Sequence, residues 1–77
     1  MKNDHADTTL KLVVKALADA RKAQGLSHET VAQKAGITRP AVSHIEGGKR
    51  KPSLLVCLRI AKALDLQLWQ LLKKVEK

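Results

Sequence analysis

Four residues in the middle of the chain, Arg39, Pro40, Ser43 and His44, have a spacing that could place them together on one helix face. Residues four apart lie on the same side of a helix, here a helix that would begin near Thr38. Arginine can donate two hydrogen bonds to guanine, and histidine can donate to a base acceptor or a phosphate. A serine hydroxyl can donate or accept a hydrogen bond. Pro40 offers only an apolar contact, for example to a thymine methyl group. The pattern predicts a helix whose outer face reads base edges in the major groove of DNA.

Other polar and basic residues could contact the phosphate backbone on either side of such a helix. The candidates are Ser27, His28, Thr38, Lys49, Arg50 and Lys51. Ser27 and His28 lie where a preceding helix would begin, and free backbone N–H groups at a helix start attract anions. The run from Lys49 to Lys51 is the densest basic cluster of the chain and follows the helix of Arg39. It is placed to bind the flanking phosphates.

The charge balance points in the same direction. The chain has 15 Lys and Arg against 7 Asp and Glu, a formal net charge of +8 and a pI near 10.1. The basic excess is spread along the chain rather than confined to a tail. Such a balance favours polyanionic partners, through the field of the protein and through counterion release. Charge alone leaves a second interpretation open, in which the basic surface only keeps the protein in solution.

The remaining reactive side chains do not form a catalytic or metal site. His5, His28 and His44 lack metal-ligand spacing, and Cys57 is the only cysteine. Cys57 falls on the apolar face of a predicted helix, where a packed role is expected rather than a nucleophilic one. The sequence contains no paired carboxylates, no glycine-rich phosphate loop and no nucleophile–base set. We therefore predict no enzyme, no metal and no cofactor.

The elements that must hold these residues are helices. Apolar residues recur at helical spacing from residue 9 onward, and no segment alternates as a strand would. Residues that favour N-caps and glycines that end helices divide the chain: Ser27, Thr38 and Ser53 begin helices, and Gly25, Gly36, Gly47 and Gly48 end them. The expected fold class is all-α, one compact domain of five helices over residues 9–77. Residues 1–8 are polar and are expected to form a flexible N-terminal arm.

A tight turn is predicted between the second and third helices, where Ala35, Gly36 and Ile37 lead to the cap Thr38. With this turn the chain resembles the helix-turn-helix of the Cro and phage-repressor type, the XRE family, over about residues 9–75. The resemblance rests on an ordered set of segments: Arg21-x3-Gly25-Leu26-Ser27, Ala32-x2-Ala35-Gly36-Ile37, Ile45-Glu46-x-Gly48, Pro52-Ser53 and Ile60-Ala61-Lys62-Ala63-Leu64.

This resemblance implies a lambda-repressor-like fold of five helices and sequence-specific binding to double-stranded DNA. Base contacts in the family cluster at the positions that match Arg39, Pro40, Ser43 and His44. Pro40 departs from the polar side chains found there in several phage repressors. His28 stands where many relatives carry glutamine, so a phosphate contact is expected there in altered form. The resemblance also implies a structural ion pair between Arg21 and Glu46, which would tie the first helix to the end of the third.

The last predicted helix, from Leu66 onward, carries more large apolar side chains than a small domain easily covers. We expect a two-fold homodimer through Leu68, Trp69 and Leu72. Trp69 is the sole aromatic residue and is expected to anchor the core or the interface rather than stack on bases. In such a dimer two recognition helices would lie about 34 Å apart, one turn of DNA, and the binding site would be an inverted repeat.

The leading functional hypothesis is a transcriptional regulator, specifically a repressor that occupies a promoter. The main alternative is an antitoxin or another protein-interaction module that also binds its own promoter; it ranks lower because no long extra tail is available to wrap a toxin. A controller protein of a restriction–modification system is an option that the sequence does not separate from other regulators.

Membrane binding by residues 66–77 is not expected, because core packing explains the same periodicity. Without a signal-peptide pattern or an apolar run of about 20 residues, a cytoplasmic, nucleoid-associated location is expected.

Overall fold

The computed structural model describes residues 4–76 and contains five α-helices. They are α1 (His5–Ala23), α2 (His28–Ala35), α3 (Arg39–Glu46), α4 (Leu54–Ala63) and α5 (Leu68–Val75). No strand occurs within residues 4–76, and the predicted all-α fold of five helices is confirmed. Over the same residues, no helix combines the length and the apolar character that crossing a lipid bilayer requires.

The first helix begins earlier than the sequence predicts. Asp4 caps α1, because its carboxylate accepts a hydrogen bond from the backbone N–H of Asp7 at 2.9 Å. Thr9 is already buried, so the turn before it is held against the domain. The described part of the expected arm, residues 4–8, therefore belongs to α1 and its cap, while residues 1–3 lie outside the described residues. The segment is polar because it contains the N-cap Asp4 and the acidic first-turn residue Asp7, which the helix dipole favours.

Helices α2 and α3 form the helix-turn-helix, and side-chain caps fix where each begins. Ser27 and Thr38 each accept a hydrogen bond from the backbone N–H three residues later, at 3.0 and 3.2 Å. Gly36, between the helices, has a φ of 75°, a left-handed conformation that other residues adopt at a cost. Arg39 is the first residue of α3 although it precedes a proline. Pro40 fits because the N–H groups of a first helical turn have no partner within the helix.

The core beneath the helix-turn-helix is built from three neighbouring elements. Val31 on α2, Val42 on α3 and Leu64 at the end of α4 are its most completely buried large side chains. Helix α2 packs against both α3 and α4, so α3 rests on a close-packed base. Gln24, which follows α1, donates a side-chain hydrogen bond to the Leu64 carbonyl at 2.8 Å and ties α1 to the end of α4.

The connection between α4 and α5 makes the last helix shorter than predicted. Asp65 has a φ of 63°, a left-handed conformation that a glycine would adopt with less strain. The Leu66 N–H donates to the Ala61 carbonyl of α4 at 2.8 Å, so Leu66 still belongs to the connection that follows α4. Helix α5 begins two residues later, at Leu68. Leu68 is only 5% exposed and belongs to the core, so the prediction that it lies in a dimer interface is wrong. Cys57 is buried in the same core, and burial raises the pKa of its thiol.

Candidate nucleic-acid interface

Helix α3 has one buried face and one solvent-facing side. The buried residues are Ala41, Val42 and Ile45, whereas Arg39, Pro40 and His44 are exposed and Ser43 is half-buried. The structure thus brings the four predicted base-contacting residues together on the outer side of one short helix. Within residues 4–76 no ion pair engages the Arg39 guanidinium, so its donors are available to a ligand.

A largely buried ion pair fixes the end of α3 to α1. Arg21 donates from Nε to Glu46 Oε2 at 2.7 Å and from Nη2 to Glu46 Oε1 at 2.9 Å. Its Nη1 donates to the Leu26 carbonyl at 2.8 Å. The two charged side chains are only 13% and 16% exposed, and the paired geometry is the strong, bidentate form of this interaction. The structure therefore brings Arg21 and Glu46 together as the family resemblance implies, and it also ties both to the loop before α2.

Glu46 has a second partner that the sequence analysis missed. His28 Nε2 lies 3.1 Å from Glu46 Oε1. Burial alone would raise the pKa of Glu46, but the hydrogen bonds from Arg21 and His28 outweigh burial and hold this pKa below its usual value. The hydrogen bond to Glu46 in turn raises the pKa of Arg21. Because His28 and Glu46 are far apart in sequence and lie on different helices, no local pattern reveals the contact. A phosphate contact by His28 must therefore use the other side of its ring.

The two hydroxyl candidates for phosphate contacts lie at helix starts. Ser27 and Thr38 are exposed and cap α2 and α3. The Ser27 hydroxyl also lies 3.0 Å from the Thr30 hydroxyl. A hydroxyl that accepts from a backbone N–H still has its own proton to donate. Both positions can therefore serve as a cap and as a donor to a phosphate oxygen.

The basic loop between α3 and α4 does not present its three cations in the same way. All three side chains are exposed, and Lys51 Nζ also lies 2.9 Å from Asp7 Oδ1. This hydrogen bond lowers the pKa of Asp7 and raises the pKa of Lys51. Lys51 therefore links the loop to the first turn of α1 through an exposed contact, while no ion pair within residues 4–76 engages Lys49 or Arg50. No local sequence pattern predicts this contact, because Asp7 lies in the polar segment that was expected to form an arm outside the domain.

Two capped helices joined by a left-handed glycine, with an exposed polar side on the second, define a helix-turn-helix DNA-binding domain. A family model described as helix-turn-helix matches residues 17–68, most of the chain. The chain belongs to this family, and it is a regulator of the Cro and phage-repressor type, as the sequence analysis predicts.

Individual relatives agree with this assignment. The chain is 40% identical over 48 residues to an uncharacterized HTH-type transcriptional regulator of Methanothermobacter thermautotrophicus, a match that covers 62% of this chain and 70% of the relative. It is 40% identical over 57 residues to the uncharacterized HTH-type transcriptional regulator YqaE of Bacillus subtilis, covering 74% of this chain but only 49% of YqaE. Among solved structures, it is similar to the restriction–modification controller protein C.AhdI from Aeromonas hydrophila. That match has a TM-score of 0.73 and 39% identity, and it covers 87% of this chain and 98% of C.AhdI.

Proposed function

We propose that this protein regulates transcription by binding specific sites in double-stranded DNA and reading the major groove with α3. The observation that carries the proposal is the exposed polar side of α3, which the Arg21–Glu46 pair holds in a fixed position. A recognition helix can discriminate bases only if its orientation is fixed relative to the helix that crosses the phosphate backbone. Repression by occupying a promoter is the simplest action of such a domain, and we propose it here.

The proposed base contacts follow from the exposed chemistry of α3. Arg39, on the first turn, has the paired donors that match guanine O6 and N7. His44, more than one turn further on, can donate to a base acceptor, and the half-buried Ser43 hydroxyl can donate or accept. Pro40 provides an apolar contact suited to a thymine methyl group. These four residues carry the proposed sequence preference.

The proposed phosphate contacts surround this surface. Ser27 and Thr38 donate from the starts of α2 and α3, and Lys49 and Arg50 contribute positive charge from the loop after α3. Lys51 can join them because its side chain is 74% exposed, but Asp7 already balances part of its charge, so we expect a smaller contribution from it. Such contacts fix the register of the protein on the duplex without reading its sequence.

Replacing Lys49 with alanine should weaken binding to all DNA sequences by a similar factor, because the lost contact is to phosphate. The slope of log K against log salt concentration should fall in magnitude by about one. Fluorescence anisotropy titrations at several salt concentrations measure both quantities. Lys74→Ala is the matched control, since Lys74 is an exposed lysine on α5, a helix that packs mainly on α1 and α4. An equal change in slope for both variants would contradict the assignment of Lys49.

We further propose that the protein binds as a two-fold dimer through exposed apolar side chains of α4 and α5. Trp69 is 58% exposed, and Leu58 lines the same cleft between these helices. Leu72 is half-buried and borders a second cleft with the exposed Leu54. With Leu68 in the core, the proposed interface centres on Trp69. Aromatic side chains of this kind are the usual anchors of protein interfaces.

Replacing Trp69 with lysine should shift the protein towards monomer, with a dimer dissociation constant at least about tenfold higher, because an anchor side chain is lost and charge enters an apolar contact. Sedimentation equilibrium over a range of concentrations measures this shift. Leu12→Lys is the matched control, since Leu12 is an exposed apolar residue on α1. A wild-type protein that sediments as an 8.4 kDa monomer at high concentration would contradict the dimer.

Selection of bound duplexes from a random DNA pool tests the proposed function as a whole. We expect an enriched inverted repeat whose half-sites are centred about one helical turn apart. Binding with no enrichment over competitor DNA would contradict sequence-specific regulation. An enriched site without two-fold symmetry would contradict the dimer only.

A second, narrower candidate is control of a restriction–modification system. The match to C.AhdI, which spans 98% of that controller protein, favours this candidate. Gel shifts with the DNA upstream of neighbouring restriction and methylation genes test it, with the selected site as a positive control. Binding to the selected site but to none of these regions would exclude the candidate. Co-purification of a stoichiometric protein partner would instead favour the antitoxin alternative.

A further inference from the structure

His28 is held in a position where its protonation state determines what it can offer to DNA. It is the first residue of α2, and its Nε2 atom lies 3.1 Å from Glu46 Oε1. Glu46 also receives two hydrogen bonds from Arg21, which keep it an ionised carboxylate. An ionised carboxylate only accepts hydrogen bonds, so the Nε2 atom of His28 must carry the proton.

The other ring nitrogen then has opposite properties in the two charge states. In neutral imidazole with its proton on Nε2, Nδ1 is an acceptor with a lone pair. A DNA phosphate oxygen is also an acceptor, so the two atoms repel. In imidazolium both nitrogens are donors, and Nδ1 can donate to a phosphate while Nε2 keeps its bond to Glu46. Only the protonated ring can bridge Glu46 and the DNA backbone.

We propose that His28 makes a proton-linked phosphate contact, so that DNA binding takes up a proton at each His28 and strengthens as the pH falls. The inference rests on the proposed function, because it needs a DNA phosphate at the start of α2. It assigns to His28 a role that a glutamine at this position could not have, since an amide donates at every pH.

The charged groups around His28 come from α2 itself and from three other helices. From α3 the facing charged group is Glu46, and from α1 it is Arg21, whose charge is already paired with Glu46. Glu29 is its neighbour on α2. The charged residues of α4 that border α2, Arg59 and Lys62, lie by its opposite end. The His28 side chain is 33% exposed, so its ring can exchange protons with solvent, and an arriving phosphate adds the negative charge that favours imidazolium.

The pH dependence of DNA affinity tests this proposal. A labelled duplex that carries the selected site is titrated by fluorescence anisotropy at constant ionic strength between about pH 5.5 and 8.5, the range in which histidines change charge. For the wild type, the association constant should fall with rising pH by up to about tenfold per pH unit for each His28 in the complex. In His28→Gln this pH dependence should disappear, because an amide donates at every pH. His44→Gln, the matched control for the other histidine of the interface, should retain the His28 component.

A measurement on the wild type alone removes any dependence on how well the variants fold. Calorimetric titrations in buffers with different ionisation enthalpies count the protons taken up on binding, and we expect a net uptake within the pH range of the affinity titrations. No proton uptake, or an unchanged pH dependence in His28→Gln, would overturn the proposal. Loss of the pH dependence only in His44→Gln would overturn it as well and assign the proton to His44. Failure of the wild type to bind any duplex at any pH would instead contradict the proposed function.

Discussion

Replacing Arg21 with alanine should lower the free energy of unfolding by about 3 kcal/mol, a large part of the stability of so small a domain. The substitution removes three hydrogen bonds and leaves the largely buried Glu46 carboxylate with His28 as its remaining partner. An uncompensated charge in such a position costs more than the contact itself contributes. Urea-induced unfolding followed by far-UV circular dichroism measures the loss.

Acid unfolding gives an independent view of the same pair. Because the pKa of Glu46 is lowered in the folded protein, its ionised form stabilises the fold. This contribution is fully present above the pKa of an unfolded glutamate and is lost as the pH falls through the lowered folded-state pKa. In Arg21→Ala the hydrogen bonds that lower the pKa of Glu46 are reduced, so this part of the pH dependence should shrink.

An exposed ion pair on the same helix provides the control. Lys15 Nζ lies 3.1 Å from Asp19 Oδ2, but these side chains are 71% and 59% exposed. Lys15→Ala should therefore cost less than about 1 kcal/mol. Similar losses in the two variants would mean that the Arg21–Glu46 pair behaves as a surface contact. Replacing both partners, as Arg21→Met with Glu46→Leu, should recover much of the stability, because no charge is then left buried alone.

The features that the sequence predicted well depend on short-range physics. Ser27, Thr38 and Ser53 each cap a helix, and Gly36 adopts the left-handed conformation that the turn requires. Caps and turns depend on residues three or four apart, so they can be found by inspection of one segment. The outward orientation of Arg39 follows from the same helical periodicity. The helix-turn-helix was therefore predictable nearly to the residue.

The features that the sequence did not predict depend on which elements meet. The contacts of His28 with Glu46 and of Lys51 with Asp7 join residues on different elements, and neither has a local signal. The assignment of Leu68 to an interface failed for a related reason. One face of α5 carries its apolar residues and Trp69 lies at the edge of that face, so the pattern alone does not separate side chains that pack on the core from those free for a partner. Only the packing of α5 on α1 and α4 places Leu68 inside and leaves Trp69 exposed.

Replacing Arg39 with alanine should weaken binding to the selected DNA site by about 5- to 150-fold, equivalent to about 1 to 3 kcal/mol. Arg39 is the exposed first residue of α3, and no ion pair within residues 4–76 competes for its guanidinium. A guanine that loses its bidentate partner is no longer distinguished from other bases at that position. Selection repeated with the variant should therefore return the same site with one base position relaxed, symmetrically in both half-sites.

Two comparisons separate base reading from simple charge. Arg39→Lys keeps the positive charge but not the planar pair of donors, so it should restore little of the lost discrimination. Lys49→Ala should weaken all sequences alike, whereas Arg39→Ala should weaken the selected site far more than a random duplex. If Arg39→Ala lowered the affinity for both duplexes equally and Arg39→Lys restored it, Arg39 would be a phosphate contact. The specificity of the protein would then have to come from Ser43, from His44, from the apolar contact of Pro40 or from the shape of the DNA.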